Sequence, residues 1–423
     1  MLTANNPNRK SWIEVSTESD FPIQNIPFGV FLTQDDVTTI GTRIGEKAID
    51  LSALHQLGYF EGIPLPEDVF LQDTLNDFIT LGRPTWRQVR NRLADLFDLE
   101  NNELRSNNDH CEQILFAVSS VQMLMPVFSQ DYTDFYSSME HAFNVGTMFR
   151  GPENALMPNW KHLPVGYHGR SSSIVVSGED FHRPKGQMKP QDADVPVFGA
   201  SKALDFELEM GFITTEGKHL GERITVDEAE EYIFGMVIFN DWSARDIQAW
   251  EYVPLGPFLG KNFASHMSPW VVTLDALEPF RVASPKQDPT PLPYLQSNHG
   301  TFDIELEVFI QPEGGKENKI CHSNFKHLYW NVSQQLAHHT VNGCNIHAGD
   351  LMASGTISGP TEDSRGSMLE ITWRGANPIT LSDGTERKFI NDGDTVLMRA
   401  YSKKGGMRIG LGEVKAKLLP ALE

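Results

Sequence analysis

Residues 206–212 read FELEMGF, two glutamates spaced two apart in an otherwise apolar run. Extended backbone alternates its side chains. Glu207 and Glu209 therefore share one face, with Phe206, Leu208 and Met210 on the other. Two carboxylates about 5 Å apart at an effective dielectric of about 20 repel by roughly 3 kcal/mol. Either water screens them or a cation holds them. FDIELEVF at 302–309 alternates in the same way, with Asp303, Glu305 and Glu307 opposite Ile304, Leu306 and Val308. That is the pattern of a half-exposed antiparallel strand. Taken alone, a solvated face is the commoner explanation of either stretch.

Working outward, strand-like runs dominate the chain: SSIVVSG, GMVIFND, PWVVTLDAL, LEITWRG and DTVLMRAYS, separated by Gly, Pro, Asn and Asp clusters. VTTIGTRIGEKAIDL (37–51) predicts a hairpin with a glycine in its turn. Helices are fewer. One is predicted near 84–99, with Thr85 and Gln88 as a capping box and Trp86, Val89, Leu93 and Leu96 on one stripe. Another is predicted in TVDEAEEYIFG (225–235), with Thr225 and Glu228 as its box. The fold class is mainly β with α. After the polar stretch ENNELRSNNDH (100–110), a boundary is placed at MPVF (125–128), giving a smaller mixed domain over 1–125 and a larger β-rich domain over 126–423.

The 423 residues carry 35 Lys and Arg against 56 Asp and Glu, a formal charge of −21. Such a surface argues against nucleic acid or an anionic membrane as partner, but not against an anionic small molecule held by its own pocket cations. Cys111, Cys321 and Cys344 are far apart with no CxxC pair, which points to a reduced, cytoplasmic protein. The start lacks the apolar segment of a secretory signal, and no apolar run is long enough to span a bilayer.

Two further stretches bear on the glutamate pair. GMVIFNDWSARDIQAWEYVPLG (235–256) begins as a buried strand and turns polar at Asp241, the expected N-cap of a helix. Arg245, Gln248 and Tyr252 then follow on one helical face; an exposed helix with an Asp241–Arg245 pair accounts for them equally well. Lys261 lies beyond, in the glycine-bearing loop GPFLGKNF, where a solvated lysine is the commoner case. In DYTDFYSSMEHAFNVGTMFRG (131–151), Ser137 and Glu140 predict a capping box, with Asp134 and Tyr136 extended ahead of it and His141 in the first turn. The positive end of the helix dipole favours neutral imidazole there, the form a general base needs, although a structural histidine fits as well. Other chemistries lack their signatures. GTISG places its serine one position late for a nucleophile elbow. GLGE is no dinucleotide fingerprint, and His338, His339 and His347 form no H-E-x-x-H.

The stretches DYTDFYSSMEHAFNVGTMFRGPENALMPNW, HLPVGYHGRSSSIVVSG, DFELEMGF, FNDWSARDIQAWEYVPLGPFLGKNF, SPWVV, ASGTISG and GSMLE resemble the fumarylacetoacetate hydrolase family, in its fumarylacetoacetase branch. The resemblance implies a C-terminal β-roll domain that carries the site, a smaller N-terminal SH3-like barrel domain, and a homodimer. Residue by residue, it implies Asp134, Glu207, Glu209 and Asp241 as metal ligands, an all-carboxylate set suited to Ca²⁺ or Mg²⁺. It implies His141 as general base, oriented by Glu370, with Arg245, Gln248 and Lys261 stabilising the reacting carbonyl. Tyr136, Arg150, Tyr167, Gln248, Tyr252 and Thr356 would contact the substrate. A second cation position is implied at Asp241, Lys261 and Ser265. Ser265 stands where the family pattern has threonine; a backbone ligand survives that change and a threonine methyl contact does not.

The reaction implied is hydrolysis of the carbon–carbon bond of 4-fumarylacetoacetate to fumarate and acetoacetate, the last step of tyrosine degradation, with a small diketo-acid as the only partner besides the second subunit. Two rivals are another family hydrolase acting on acylpyruvate-type substrates and a non-enzymatic calcium-binding β protein. Structural calcium needs neither His141 nor Lys261.

Overall fold

The computed structural model describes residues 2–190 and 193–423. The predicted 37–51 hairpin is formed by Thr38–Ile44 and Lys47–Asp50, and Gly45 supplies the positive φ of the turn. It lies in a five-stranded antiparallel sheet, spatial order 115–117, 47–50, 38–44, 28–32, 122–124. The helix Gly82–Leu96 buries Trp86, Val89, Leu93 and Leu96, as its stripe predicts. Its start differs from expectation: it begins at Gly82, so Thr85 lies inside it and caps nothing. Pro84 falls in the first turn, where a missing N–H costs no intrahelical bond, and lets the helix begin earlier.

An eight-stranded mixed sheet follows, in the order 166–168, 132–135, 351–353, 208–214, 233–241, 265–267, 174–176, with 272–273 also pairing to 233–241. A third sheet of five strands has the order 318–324, 305–311, 395–404, 407–419, 181–182. The molecule is mainly β with helices, its N-terminal sheet distinct from the two large sheets that follow, which four two-stranded sheets accompany among the described residues. The helix expected over 225–235 shrinks to the single 3₁₀ turn Ala229–Tyr232. The apolar run from Ile233 is taken into the sheet between 208–214 and 265–267. LEITWRG is likewise no strand: Met368–Ile371 is a short helix capped by Ser367, and Trp373 and Arg374 close it with positive φ.

The two E-x-E stretches separate here. In Glu305–Gln311, Leu306, Val308 and Ile310 are buried, while Glu305 and Glu307 reach His322 and Lys319 on the outer face. Leu208–Thr214 is buried throughout. Leu208, Met210 and Phe212 pack in one core with Leu306, Val308 and Met398 of the third sheet. On the opposite face, Ile213 joins a second core with Phe28, Val30, Phe234 and Phe239, which carries the N-terminal sheet onto the central one. No helix among the described residues is long and apolar enough to cross a membrane.

Candidate active site

Strand order brings the predicted acids together. Asp134 lies near the end of Tyr132–Phe135, paired with Ala353 on one side and Tyr167 on the other. Glu209 lies at the start of Leu208–Thr214, opposite Phe239. Asp241 ends the antiparallel neighbour Ile233–Asp241. Glu207 is one step outside, its backbone N–H donating to Asn240 Oδ1. Chain ends of three strands thus meet at one edge. Asp134, Glu207, Glu209 and Asp241 are all buried, and each offers an oxygen within 4.8 Å of the others.

Asp241 is not the helix cap the sequence suggested. Residues 243–244 pair with 204–205, which keeps the chain extended, and the helix Arg245–Glu251 starts after Ala244 without a side-chain cap. The cap of the helix Met139–Arg150 also moves by one: Ser138 accepts the His141 N–H, because Ser137 is held extended by its N–H bond to Ser354 O. His141 keeps its expected place in the first turn.

Cationic side chains answer part of the acidic charge. Lys261 Nζ donates to Glu207 Oε2 at 2.5 Å and to Asp241 Oδ2 at 2.7 Å. Arg245 Nη1 lies 2.7 Å from Glu207 Oε1 and 3.3 Å from Gln248 Oε1. Ser265 Oγ donates to Asp241 Oδ1 at 2.9 Å, so Lys261 and Ser265 both bond to Asp241, through different oxygens. Burial by itself would lift Glu207, but Lys261 and then Arg245 outweigh it and hold that carboxylate at about 2. Burial, and then the Asp241 charge, pushes Asp134 well above the usual carboxylate range; burial, then Asp134 and Glu207, does the same to Glu209. Asp134 Oδ1 and Glu209 Oε1 are buried without a partner among the described residues. Tyr167 Oη stands 3.0 Å from both Asp134 Oδ2 and Asp241 Oδ2, with one proton to give. With all four carboxylates ionised, Lys261 and Arg245 would offset at most two of the charges, and Arg245 is shared with Asp205. Orphaned oxygens, mutual repulsion and an all-oxygen donor set fit a hard divalent cation.

Beside this cluster stands a base arm. His141 Nδ1 is 2.6 Å from Glu370 Oε2. Glu370 is fully buried, accepting also from Ser358 Oγ at 2.9 Å, Ser367 Oγ at 3.0 Å and, through Oε1, Asn144 Nδ2 at 2.9 Å. Burial alone would raise this carboxyl, but the neighbouring His141 and these hydrogen bonds hold it below the usual range. An ionised Glu370 assigns the proton to Nδ1 and leaves Nε2 with its lone pair. Tyr136 packs its ring edge against His141 at 5.3 Å between centroids.

Of the predicted substrate contacts, Tyr136 and Arg150 line a cavity of about 220 Å³ with Trp160 and Val165. Thr356 is buried next to Gly355, whose N–H donates to Glu209 Oε2 at 2.9 Å. Tyr252, at the end of its helix, is 51% exposed, whereas the four acids are buried. His338 and His339 bond separately to Tyr294 and Thr133. The sequence reading missed Asn144, Ser358, Ser367 and Asp205. Two left a signal: Asn144 is three residues after His141 on one helical face, and Asp205 continues the alternation of Glu207 and Glu209.

Residues 131–418 match the "Fumarylacetoacetate (FAA) hydrolase C-terminal" family and 24–126 the "Fumarylacetoacetase N-terminal" family. The chain belongs to the fumarylacetoacetate hydrolase family. A fumarylacetoacetase of Dictyostelium discoideum is 55% identical over 97% of this chain and 98% of its own length; the one from Homo sapiens is 54% identical over 97% and 99%. Among solved structures, a fumarylacetoacetate hydrolase from psychrophilic Exiguobacterium antarcticum superposes with a TM-score of 0.52 at 18% identity, over 93% of this chain and 99% of that one, which shows the shared fold. All four acids, His141 and Glu370 fall inside the segment that matches the hydrolase family's C-terminal part.

Proposed function

We propose that this chain hydrolyses the carbon–carbon bond of 4-fumarylacetoacetate to give fumarate and acetoacetate; its relatives of 54–55% identity bear the name fumarylacetoacetase. The observation that carries the proposal is the pairing of a buried His–Glu dyad with a four-acid cluster and an uncommitted guanidinium N–H. Arg245 Nη2 is buried without a partner among the described residues, a donor available to a developing oxyanion.

His141 Nε2 takes a proton from the attacking water, while Glu370 holds the imidazole in that tautomer and offsets the imidazolium charge. Hydroxide adds to the carbonyl carbon. Arg245, Gln248 and Lys261 receive the resulting oxyanion. Collapse breaks the carbon–carbon bond, the electron pair leaves on acetoacetate as an enolate, and the enolate carbon takes the proton held on His141, which regenerates the base. Asp134, Glu207, Glu209 and Asp241 would hold a cation, Ca²⁺ or Mg²⁺, whose contribution is Lewis-acid stabilisation of charge on the diketone oxygens. No serine or cysteine nucleophile is needed. Tyr136, Arg150, Tyr167, Tyr252 and Thr356 are assigned to substrate contacts, and the chemistry to residues 126–423.

The test is loss of the substrate's conjugated absorbance on incubation with Mg²⁺ or Ca²⁺. Turnover with release of fumarate is expected, and none refutes the assignment. A panel of acylpyruvates separates the rival hydrolase. A homodimer is supported by the apolar segment 250–259, where Val253, Leu255 and Phe258 are 66, 97 and 65% exposed. Sedimentation at two protein concentrations tests it.

A further inference from the structure

Asp205 lies outside every role assigned so far, yet it touches both halves of the site. Its side chain is fully buried. Oδ2 accepts from Arg245 Nε at 2.9 Å and from the Leu369 backbone N–H at 2.9 Å. Oδ1 accepts from the Met368 N–H at 2.7 Å. Met368 and Leu369 open the four-residue turn whose third residue is Glu370. One carboxylate therefore fixes the guanidinium that meets Glu207 and the turn that presents the base-orienting acid.

We propose that Asp205 is a positioning residue that locks the Arg245 arm and the Glu370–His141 arm into one register. It rests on the roles given above to those two arms. Three donors from two segments of the chain meet its two oxygens, and only a carboxylate accepts all three. In Asp205→Asn, an amide nitrogen at the Oδ2 position would confront two N–H groups, and at the Oδ1 position it would confront the Met368 N–H. Either choice lets the turn or the guanidinium drift. A side chain that merely capped the turn would contribute stability, and its loss would leave the folded enzyme's rate alone. A shared anchor instead sets the distance between base and oxyanion donor, and misplacement of about 1 Å there costs about 100-fold.

The experiment compares full-length wild type with Asp205→Asn, cation supplied, by steady-state kinetics and by proton NMR of the low-field His141 Nδ1–H resonance. Expected are a kcat about 100-fold lower with KM little changed, and a displaced or lost resonance. A folded variant with kcat within a few-fold of wild type and an unmoved resonance overturns the proposal. Should Asp205→Asn fail to fold, Asp205→Glu keeps the charge but lengthens the anchor; the same losses are expected, and their absence overturns it. Wild-type amide exchange requires no variant: the Met368 and Leu369 N–H groups should exchange as slowly as core amides, and rapid exchange refutes the anchor. If the substrate assignment itself were wrong, turnover would be missing in the wild type too, while the resonance and exchange readouts would still decide the role of Asp205.

Discussion

Replacing Glu370 by glutamine keeps the shape of the side chain and removes one acceptor and one charge. In the native site Oε2 faces His141 Nδ1 and Oε1 faces the Asn144 amide. If the new side chain keeps its oxygen toward Asn144, its NH₂ faces Nδ1. The imidazole must then accept there and carry its proton on Nε2, where a base cannot work; the wrong tautomer costs about 10⁴ in kcat. The alternative turns the glutamine oxygen toward Nδ1 and requires Asn144 to flip its own amide. That route keeps the tautomer and loses only the charge. With about 4 Å between charge centres and an effective dielectric of about 20, the lost attraction for imidazolium is about 4 kcal/mol, or about 10³ in rate. Both routes predict kcat down about 10³- to 10⁴-fold with KM near wild type, read from fumarylacetoacetate consumption at saturating cation. Asn144→Asp discriminates further. Alone, it sets a second carboxylate beside Glu370 and should lower kcat. Combined with Glu370→Gln, it accepts the glutamine NH₂, turns the oxygen to Nδ1 and recovers part of the rate. A Glu370→Gln enzyme within tenfold of wild type, or a double variant showing the two losses simply multiplied, would refute the reasoning.

Other predictions follow from the same geometry. His141→Ala should lower kcat about 10²- to 10⁴-fold while the protein stays folded; single-turnover rates check this. Adding Ca²⁺ or Mg²⁺ at a hundred times its dissociation constant should stabilise the cation-free protein by about 2.7 kcal/mol, and Glu209→Gln should shrink that shift in a melting experiment. Lys261→Met leaves Asp241 a buried charge without a cation and takes one of the two cations from Glu207, which keeps Arg245; it should cost about 3–5 kcal/mol in urea denaturation of the cation-free protein, partly recovered on adding the cation. Glu370 is held below its unfolded value, so the stability it contributes is present above about pH 4 and lost as pH falls through its folded pKa. The stability gap between wild type and Glu370→Gln should therefore close in acid, as denaturation at stepped pH values would show.

Much of this was legible in the chain, and the misses share a cause. The stripe Trp86, Val89, Leu93, Leu96 and the 38–50 hairpin are local patterns, and local patterns survive folding. The boundaries that moved were set by distant partners. Ser137 lost the cap to Ser138 because its N–H was already given to Ser354 O. Asp241 stayed in a strand because residues 243–244 pair with 204–205. LEITWRG has the composition of a strand, but Asp205 and Ser367 take the N–H groups at the start of the segment and turn it into a helix that aims Glu370 at His141.

The glutamate pair shows where alternation stops being informative. It reports that a strand has two faces and says nothing of what covers them. Glu305 and Glu307 sit on an edge-facing surface, where His322 and Lys319 of the neighbouring strand meet them in water. Glu207 and Glu209 differ only in what surrounds them: Asp134 from a strand more than seventy residues earlier and Asp241 from the antiparallel neighbour. A one-residue slip of Leu208–Thr214 against Ile233–Asp241 would turn Glu209 into the core of Met210 and Phe212 and point those side chains at the acids. The register that buries the apolar face is thus the register that assembles the site. Fold and chemistry constrain each other through the same seven residues.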